Sequence, residues 1–252
     1  MKYKLASLTS LYDEERWDID YHLPAEGIKR FDTSILRPIS DAAYIVRDKR
    51  DPTKNPDEEF CYFDISSVDV STGMVSEPQI LVGSEAPSRA RKVVQAYDII
   101  ISTCRPTRGA IAVVPEQYHN QICSTGFSVI RPKKGVNPFF LHFAIRLEST
   151  LEQFRKFSTG SSYPAILDSD VEKALIPLPA KELQDLIAGH ILEGTSERER
   201  AVSIANRDFE KNSMKAIRSL ADNSYGTLST SFDEHIFRSD DIFSRINELP
   251  NP

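Results

Sequence analysis

The residues of this chain best suited to bond-making chemistry stand apart from one another. Five histidines, His22, His119, His142, His190 and His235, occur singly. None has a cysteine or a second histidine at the spacing a zinc ion needs. Cys61, Cys104 and Cys123 form no pairing pattern and fall in or beside apolar, strand-like runs. There a cysteine acts as a small buried apolar residue rather than a nucleophile. No glycine-rich loop ends in Lys-Ser or Lys-Thr to cradle nucleotide phosphates, and no GxGxxG follows a strand-like run. The chain lacks the NPPY-like or DPPY-like tetrapeptide of amino-methyltransferases. No lysine follows an acid at two residues, the spacing of a common nuclease pair. These absences point to a binding protein, not an enzyme, with no metal or cofactor of its own.

Cations are the chemistry the sequence does concentrate. The 252 residues carry a formal charge of −6, which opposes nucleic-acid binding on average. Residues 83–162 hold eleven lysines and arginines against five acids, a local excess of +6 that leaves −12 for the rest. A basic block in an acidic chain is what a DNA-facing patch produces, and equally what an unevenly charged solvated face produces.

The elements that must carry this block begin as β-structure. Residues 43–47, 60–65, 79–82, 98–102, 110–114 and 126–130 are short runs rich in Val, Ile, Tyr and Phe, separated by turn residues. Strands so spaced, with no helices between them, predict a mixed or antiparallel curled sheet. RDKRDPTKNPDEEF (47–60) predicts a polar loop whose prolines and charges stay out of the core. Asn137-Pro138 opens one helix over 138–157, with apolar residues recurring at three and four. It stops near STGSSYP. ALIPLP (174–179) is a short extended segment. A helix then runs over about 181–220, with GTSERER as a candidate break. Some 40 residues make roughly 60 Å of helix, too long to bury its stripe in one small domain, so it calls for a partner helix.

The expected architecture is therefore α/β (α+β): a recognition domain (1–179), a long coiled-coil-type helix (180–221) and a polar tail (222–252). Hydrophobic residues make up 40% and charged residues 27%, ordinary values for a globular protein. No apolar run reaches the roughly 20 residues of a membrane span, and the start turns acidic too early for a signal peptide. Three unpaired cysteines suit a reducing cytoplasm.

Six strings in order resemble the specificity subunits of type I restriction–modification systems. They are RWDIDYHLP (16–24), YFDISSVD (62–69), EAPSRARKVVQAYDIIISTCRP (85–106), STGFSVIRP (124–132), FSTGSSYPAI (157–166) and ALIPLPAKELQDLIAGHI (174–191). The third is the best match, and together they cover most of the chain. The resemblance implies a non-catalytic subunit that gives DNA sequence specificity to a partner methyltransferase (modification) subunit and a partner restriction subunit. S-adenosylmethionine and ATP would belong to those partners. Typical members carry two recognition domains. This chain, with one domain and one helix, is similar to a half-subunit, which would homodimerise through its helix and read a split, two-fold symmetric site in double-stranded DNA.

The resemblance also implies DNA-contacting residues. Arg89, Arg91 and Lys92 lie in the matched Pro-Ser-Arg-Ala block. Arg105 and Arg108 bracket the loop after strand 98–102, and Lys133 and Lys134 occupy a turn. Ser158, Thr159, Gly160, Ser161, Ser162 and Tyr163 bring hydroxyls and backbone N–H groups suited to phosphates. For each basic residue the alternative is a solvated charge, and for Tyr163 it is packing. Arg16 pairs with Asp18 or Asp20 in this reading. Two other functions compete. One is a protein-interaction or DNA-mimicking module that reuses the fold, suggested by the −12 remainder. The other is the recognition part of an enzyme whose catalytic half is another polypeptide.

Overall fold

The structure, a computed structural model, describes residues 19–22, 25–76, 78–160 and 162–221. The expectations for Arg16, Ser161 and the tail 222–252 lie outside the described residues. The strands are β1 (Leu36–Pro38), β2 (Ala43–Ile45), β3 (Glu59–Phe63), β4 (Val68–Asp69), β5 (Met74–Val75) and β6 (Gln79–Val82). They continue with β7 (Ala90–Val94), β8 (Ile99–Ser102), β9 (Ile111–Val113), β10 (Gln121–Ser124), β11 (Phe127–Pro132) and β12 (Leu175–Pro177). The helices are α1 (Ile19–His22), α2 (Ile39–Ala42), α3 (Pro138–Arg146), α4 (Glu148–Phe157), α5 (Asp168–Lys173) and α6 (Lys181–Ala221).

Two four-stranded sheets form the body. One runs β2-β11-β8-β9 and is antiparallel throughout. The other runs β6-β3-β10-β7 and is mixed, with β3 and β10 parallel. This is the mixed α/β arrangement expected from the sequence. The run of isoleucines in β8 shows why the sheets stack. Side chains alternate across a strand, so an unbroken apolar run needs cover on both faces. Ile99 and Ile101 pack with Phe140, Leu141, Ile145 and Phe154 of α3 and α4. Ile100 faces the other way, into a cluster with Phe63, Val94 and Cys123 of the second sheet.

Asp98, wholly buried just before β8, is fixed from β11. Arg131 donates to both its oxygens, Nε to Oδ1 at 2.7 Å and Nη2 to Oδ2 at 2.9 Å, and Gln95 N–H donates at 2.8 Å. The carboxylate holds the Arg131 guanidinium well above its ordinary pKa.

Several local expectations need correction. The helix expected over 138–157 is two, broken at Leu147, whose ψ of 142° is extended. The Thr150 hydroxyl accommodates the break by donating to Ala144 O at 2.9 Å. The segment expected as a loop over 47–60 holds a 3-10 turn, Pro52–Lys54, and gives way to β3 at Glu59, and Pro52 is buried. Its carbonyl and that of Asn55 sit so close over Gly83 that any side chain there would collide with them. The interruption considered at GTSERER does not occur, for α6 is continuous across it. Strands β7 and β10 and helix α5 were not expected. By contact the chain forms two compact units, Met1–Thr195 and Ser196–Pro252. The first turns of α6 belong to the first unit, where Gln184 and Ala188 are buried.

Candidate nucleic-acid interface

Segments far apart in sequence meet at one end of the two sheets. The Pro-Ser-Arg-Ala block makes a turn into β7, closed by Ala90 N–H on Pro87 O at 2.9 Å, with Arg89 exposed in it. Beside it the chain crosses from β10 in one sheet to β11 in the other through Thr125 and Gly126. Thr125 N–H donates to Arg89 O at 2.9 Å. Gly126 O accepts from both N–H and Oγ1 of Thr103, each at 2.9 Å. Thr103 leads out of β8 into the loop that carries Arg105 and Arg108.

That loop is laced to the one after α4. Arg105 N–H donates to Pro164 O at 2.7 Å, and Ile166 N–H donates to Thr103 O at 3.0 Å. Thr159 and Ala165 exchange N–H···O bonds of 2.9 Å each, closing the loop that holds Gly160, Ser162 and Tyr163. The Arg105 guanidinium carbon lies 4.9 Å from the centre of the Tyr163 ring. Arg108 ends a 3-10 turn, Pro106–Arg108, and is exposed. Helix α4 backs this turn, with Leu151 against Gly109. The result is a rim of exposed backbone, hydroxyls and guanidinium groups set on a rigid body, an arrangement able to bind a polyanion.

The structure thus divides the residues singled out in sequence. Arg89, Arg105, Arg108, Thr159, Gly160, Ser162 and Tyr163 come together. Arg91 borders the rim, but its guanidinium is tied to Ala90 O at 2.8 Å and lies 3.5 Å from the Asp51 carboxylate. Lys92 turns inward and donates to Phe127 O at 2.6 Å. Lys133 and Lys134 follow the far end of β11, a six-residue strand, roughly 20 Å from the Phe127 end. There Lys133 donates to Ser40 O at 2.6 Å. One further cation of the basic block, Arg155, stands in the last turn of α4, ahead of the loop that holds Gly160. It is exposed, one turn beyond Leu151.

Groups that could do chemistry elsewhere are tied down. Burial pushes the Cys123 thiol up to about 12, far from a reactive thiolate. A cavity of about 250 Å³ between β9, α3 and the start of α6 is lined by Tyr97, Phe139, Phe143 and Ile191 together with Glu116, His142 and Arg146. Each of those three is engaged. Glu116 accepts from Tyr97 OH at 3.2 Å. Arg146 donates to Thr72 O and Val70 O, both at 2.7 Å, and His142 Nε2 lies 3.1 Å from Ile111 O. Burial holds His142 down at about 4, so the ring is neutral. Among the described residues no group of three or more His, Cys, Asp or Glu side chains is placed to hold a metal, and no helix is long and apolar enough to cross a membrane.

Comparison with known proteins bears on the same region. The type I restriction modification DNA specificity domain matches residues 39–194, more than half of the chain. The HindI type I restriction enzyme specificity subunit of Haemophilus influenzae is 29% identical over 126 residues, 49% of this chain and 28% of that protein. The HsdS subunit of Thermoanaerobacter tengcongensis superposes with a TM-score of 0.59 at 35% identity, covering 77% of this chain and 50% of the other. A second solved chain comes from a study of complex assembly and conformational transition in the type I R-M system. It gives 0.59 at 36% identity with the same coverage. The chain thus spans about a quarter of the curated relative and half of the solved ones.

Proposed function

The chain belongs to the type I restriction modification DNA specificity family, and from that membership we propose that its rim of loops reads double-stranded DNA on behalf of partner subunits. The observation that carries this reading is the convergence of Arg89, Arg105 and Arg108 with the hydroxyl-rich loop after α4. Backbone N–H groups and hydroxyls suit phosphates, and arginines suit both phosphates and base edges. Arg155 extends the same surface. Lys92 belongs to the scaffold in this reading, and Lys133 and Lys134 lie off the interface.

The protein itself performs no bond chemistry in this account. It directs a methyltransferase subunit, and where the system cleaves, a restriction subunit, to the sequence it binds. Exposed apolar residues along α6, among them Val202, Phe209 and Leu220, support pairing of that helix with a second copy. Two copies would bring two rims to a split, two-fold symmetric target. A role on DNA supports a cytoplasmic setting.

Enrichment of a random-sequence duplex library tests the reading. A single split motif, bound less tightly as salt rises, is the expected result. Failure to enrich any sequence, with the methyltransferase subunit as well as without it, would reject it in favour of a protein-binding or DNA-mimicking role.

A further inference from the structure

We propose that Arg105, held in place by Tyr163, reads a guanine in the major groove, so that the DNA target contains a G·C pair whose recognition depends on the Tyr163 ring. The inference rests on the rim being the DNA interface and adds what the rim selects.

Two observations single out this pair among the cations of the rim, and a third fits it to base reading. The first is the backbone of Arg105. Its φ of 49° and ψ of 53° lie in the left-handed region, which residues with a side chain rarely adopt. It also precedes Pro106, a position normally driven to extended backbone. A conformation disfavoured twice over persists because hydrogen bonds impose it. Arg105 N–H is held by Pro164 O at 2.7 Å, and Arg105 O accepts from Arg108 N–H at 3.0 Å. Strain kept this way at a half-buried loop residue marks one whose direction matters.

The second is Tyr163. Its side chain is left 71% exposed, so packing is not its role. Its one described ring contact is the Arg105 guanidinium at 4.9 Å. The loop that presents it is closed by the Thr159–Ala165 pair and turns through Gly160 at φ +93°. A Cβ on Gly160 would press on the backbone Tyr163 O at 3.0 Å, so the turn that presents residue 163 is tightly closed.

The third is the free donor edge. Arg131 is committed to Asp98, and Arg91 to Ala90 O and Asp51. No carboxylate or carbonyl among the described residues accepts from the Arg105 guanidinium. A cation held over a ring by its face keeps its in-plane N–H groups available. That edge matches the O6 and N7 acceptors of guanine, which take two parallel hydrogen bonds from one arginine. A phosphate contact needs only charge, which a lysine on a relaxed loop supplies equally well. The imposed backbone and the aromatic support are explained by in-plane reading.

The test sorts a random-sequence duplex library with the full chain, alone and with its methyltransferase subunit. The native chain is compared with Arg105→Lys, Tyr163→Ala and Tyr163→Phe, each first shown to melt like the native protein. The expected native motif contains a guanine. Arg105→Lys and Tyr163→Ala lose about 5- to 150-fold of the preference for it while other positions of the motif persist. Arg105→Lys keeps the native salt dependence, and Tyr163→Phe keeps the preference, because ring and cation remain. A native motif without guanine overturns the inference, as does a motif that survives intact in Arg105→Lys and Tyr163→Ala. In both cases the DNA-reading function stands. A native chain that enriches no motif in either form overturns that function and this inference with it.

Discussion

Arg131 of β11 grips Asp98, the residue before β8, with two hydrogen bonds, 2.7 and 2.9 Å, and the carboxylate has no exposure to solvent. The pair fixes the approach to β8, the strand that delivers Arg105 to the rim. Removing one partner of a buried pair leaves the other uncompensated, which costs about 3–5 kcal/mol. Arg131→Ala is expected to lower stability by that amount in urea unfolding. Asp98→Asn, which can still accept from Gln95 N–H, should cost less. A loss below about 1 kcal/mol for Arg131→Ala would show that the pair is not needed to hold β8.

The division of cations between the rim and the far end of β11 makes a second prediction. Arg89→Ala and Arg108→Ala should weaken binding to the enriched duplex. If the lost contact is to a phosphate, the slope of log affinity against log salt becomes shallower by about 0.9. Lys133→Ala and Lys134→Ala should leave both affinity and slope at native values. Equal losses at both ends, measured by fluorescence anisotropy over a salt series, would place the DNA elsewhere.

Gly160 gives a third. Alanine at φ +93° is strained, and its Cβ would press on Tyr163 O at 3.0 Å. The loop is exposed and the strain relieves outward, so the melting temperature should fall by only a few degrees, as about 1 kcal/mol implies for a domain of this size. DNA affinity should fall at least tenfold as Tyr163 leaves Arg105. Native affinity in Gly160→Ala would separate the loop's conformation from binding.

A fourth concerns pH. His142 Nε2 faces the Ile111 carbonyl, which can only accept, so that nitrogen carries a hydrogen. Burial holds its pKa at about 4 against an ordinary 6.5; the Ile111 bond opposes it, and the smaller effect of the Arg146 charge adds to the lowering. Below pH 6.5 the unfolded chain takes up a proton that the folded chain refuses. The stabilisation is therefore complete above 6.5 and declines as pH falls towards 4, by about 3 kcal/mol in all. His142→Gln, which keeps a donor for Ile111, should flatten the loss of stability between pH 7 and pH 5. Parallel pH profiles for variant and native protein would refute this account.

What the sequence reveals here depends on whether the signal is local. β8 was legible because four consecutive buried residues leave no other reading, and Asn137-Pro138 marked the start of α3 because the Asn137 side chain caps it. β7 was missed because Arg91 and Lys92 disguise a strand whose ends, Ala90 and Val94, are buried; the lysine reaches a carbonyl that sequence does not show. The break at Leu147 has no glycine or proline to announce it. The continuity of α6 through GTSERER was hidden because a solvated helix needs no apolar stripe at every turn. The rim is non-local. Arg105 and Tyr163 are separated by 58 positions, and the pairing of Cys104 with Ala165, with the Arg105–Pro164 and Ile166–Thr103 bonds, brings them together. The family resemblance located their segments, but not which cations remain open to a ligand.

The final prediction concerns α6. Within its second half, Val202, Ala205, Phe209, Ala216 and Leu220 recur at spacings of three, four and seven, the seam of a helix that pairs. Val202, Phe209 and Leu220 are 50%, 73% and 82% exposed, and a stripe of that kind in water favours association. Burying a large apolar side chain contributes about 1.5–3 kcal/mol. Val202 and Phe209 from two copies would then supply roughly 6 kcal/mol or more, above 10⁴-fold in the dimer dissociation constant. Native protein should sediment as a dimer at micromolar concentration, and Val202→Glu with Phe209→Glu as a monomer with unchanged helix content. If the dimer is what joins two rims on one target, the double variant should also lose the two-fold symmetry of the enriched motif while keeping a single half of it. A native protein that stays monomeric at tens of micromolar would assign the α6 stripe to a different chain, and the motif would then be read in one piece.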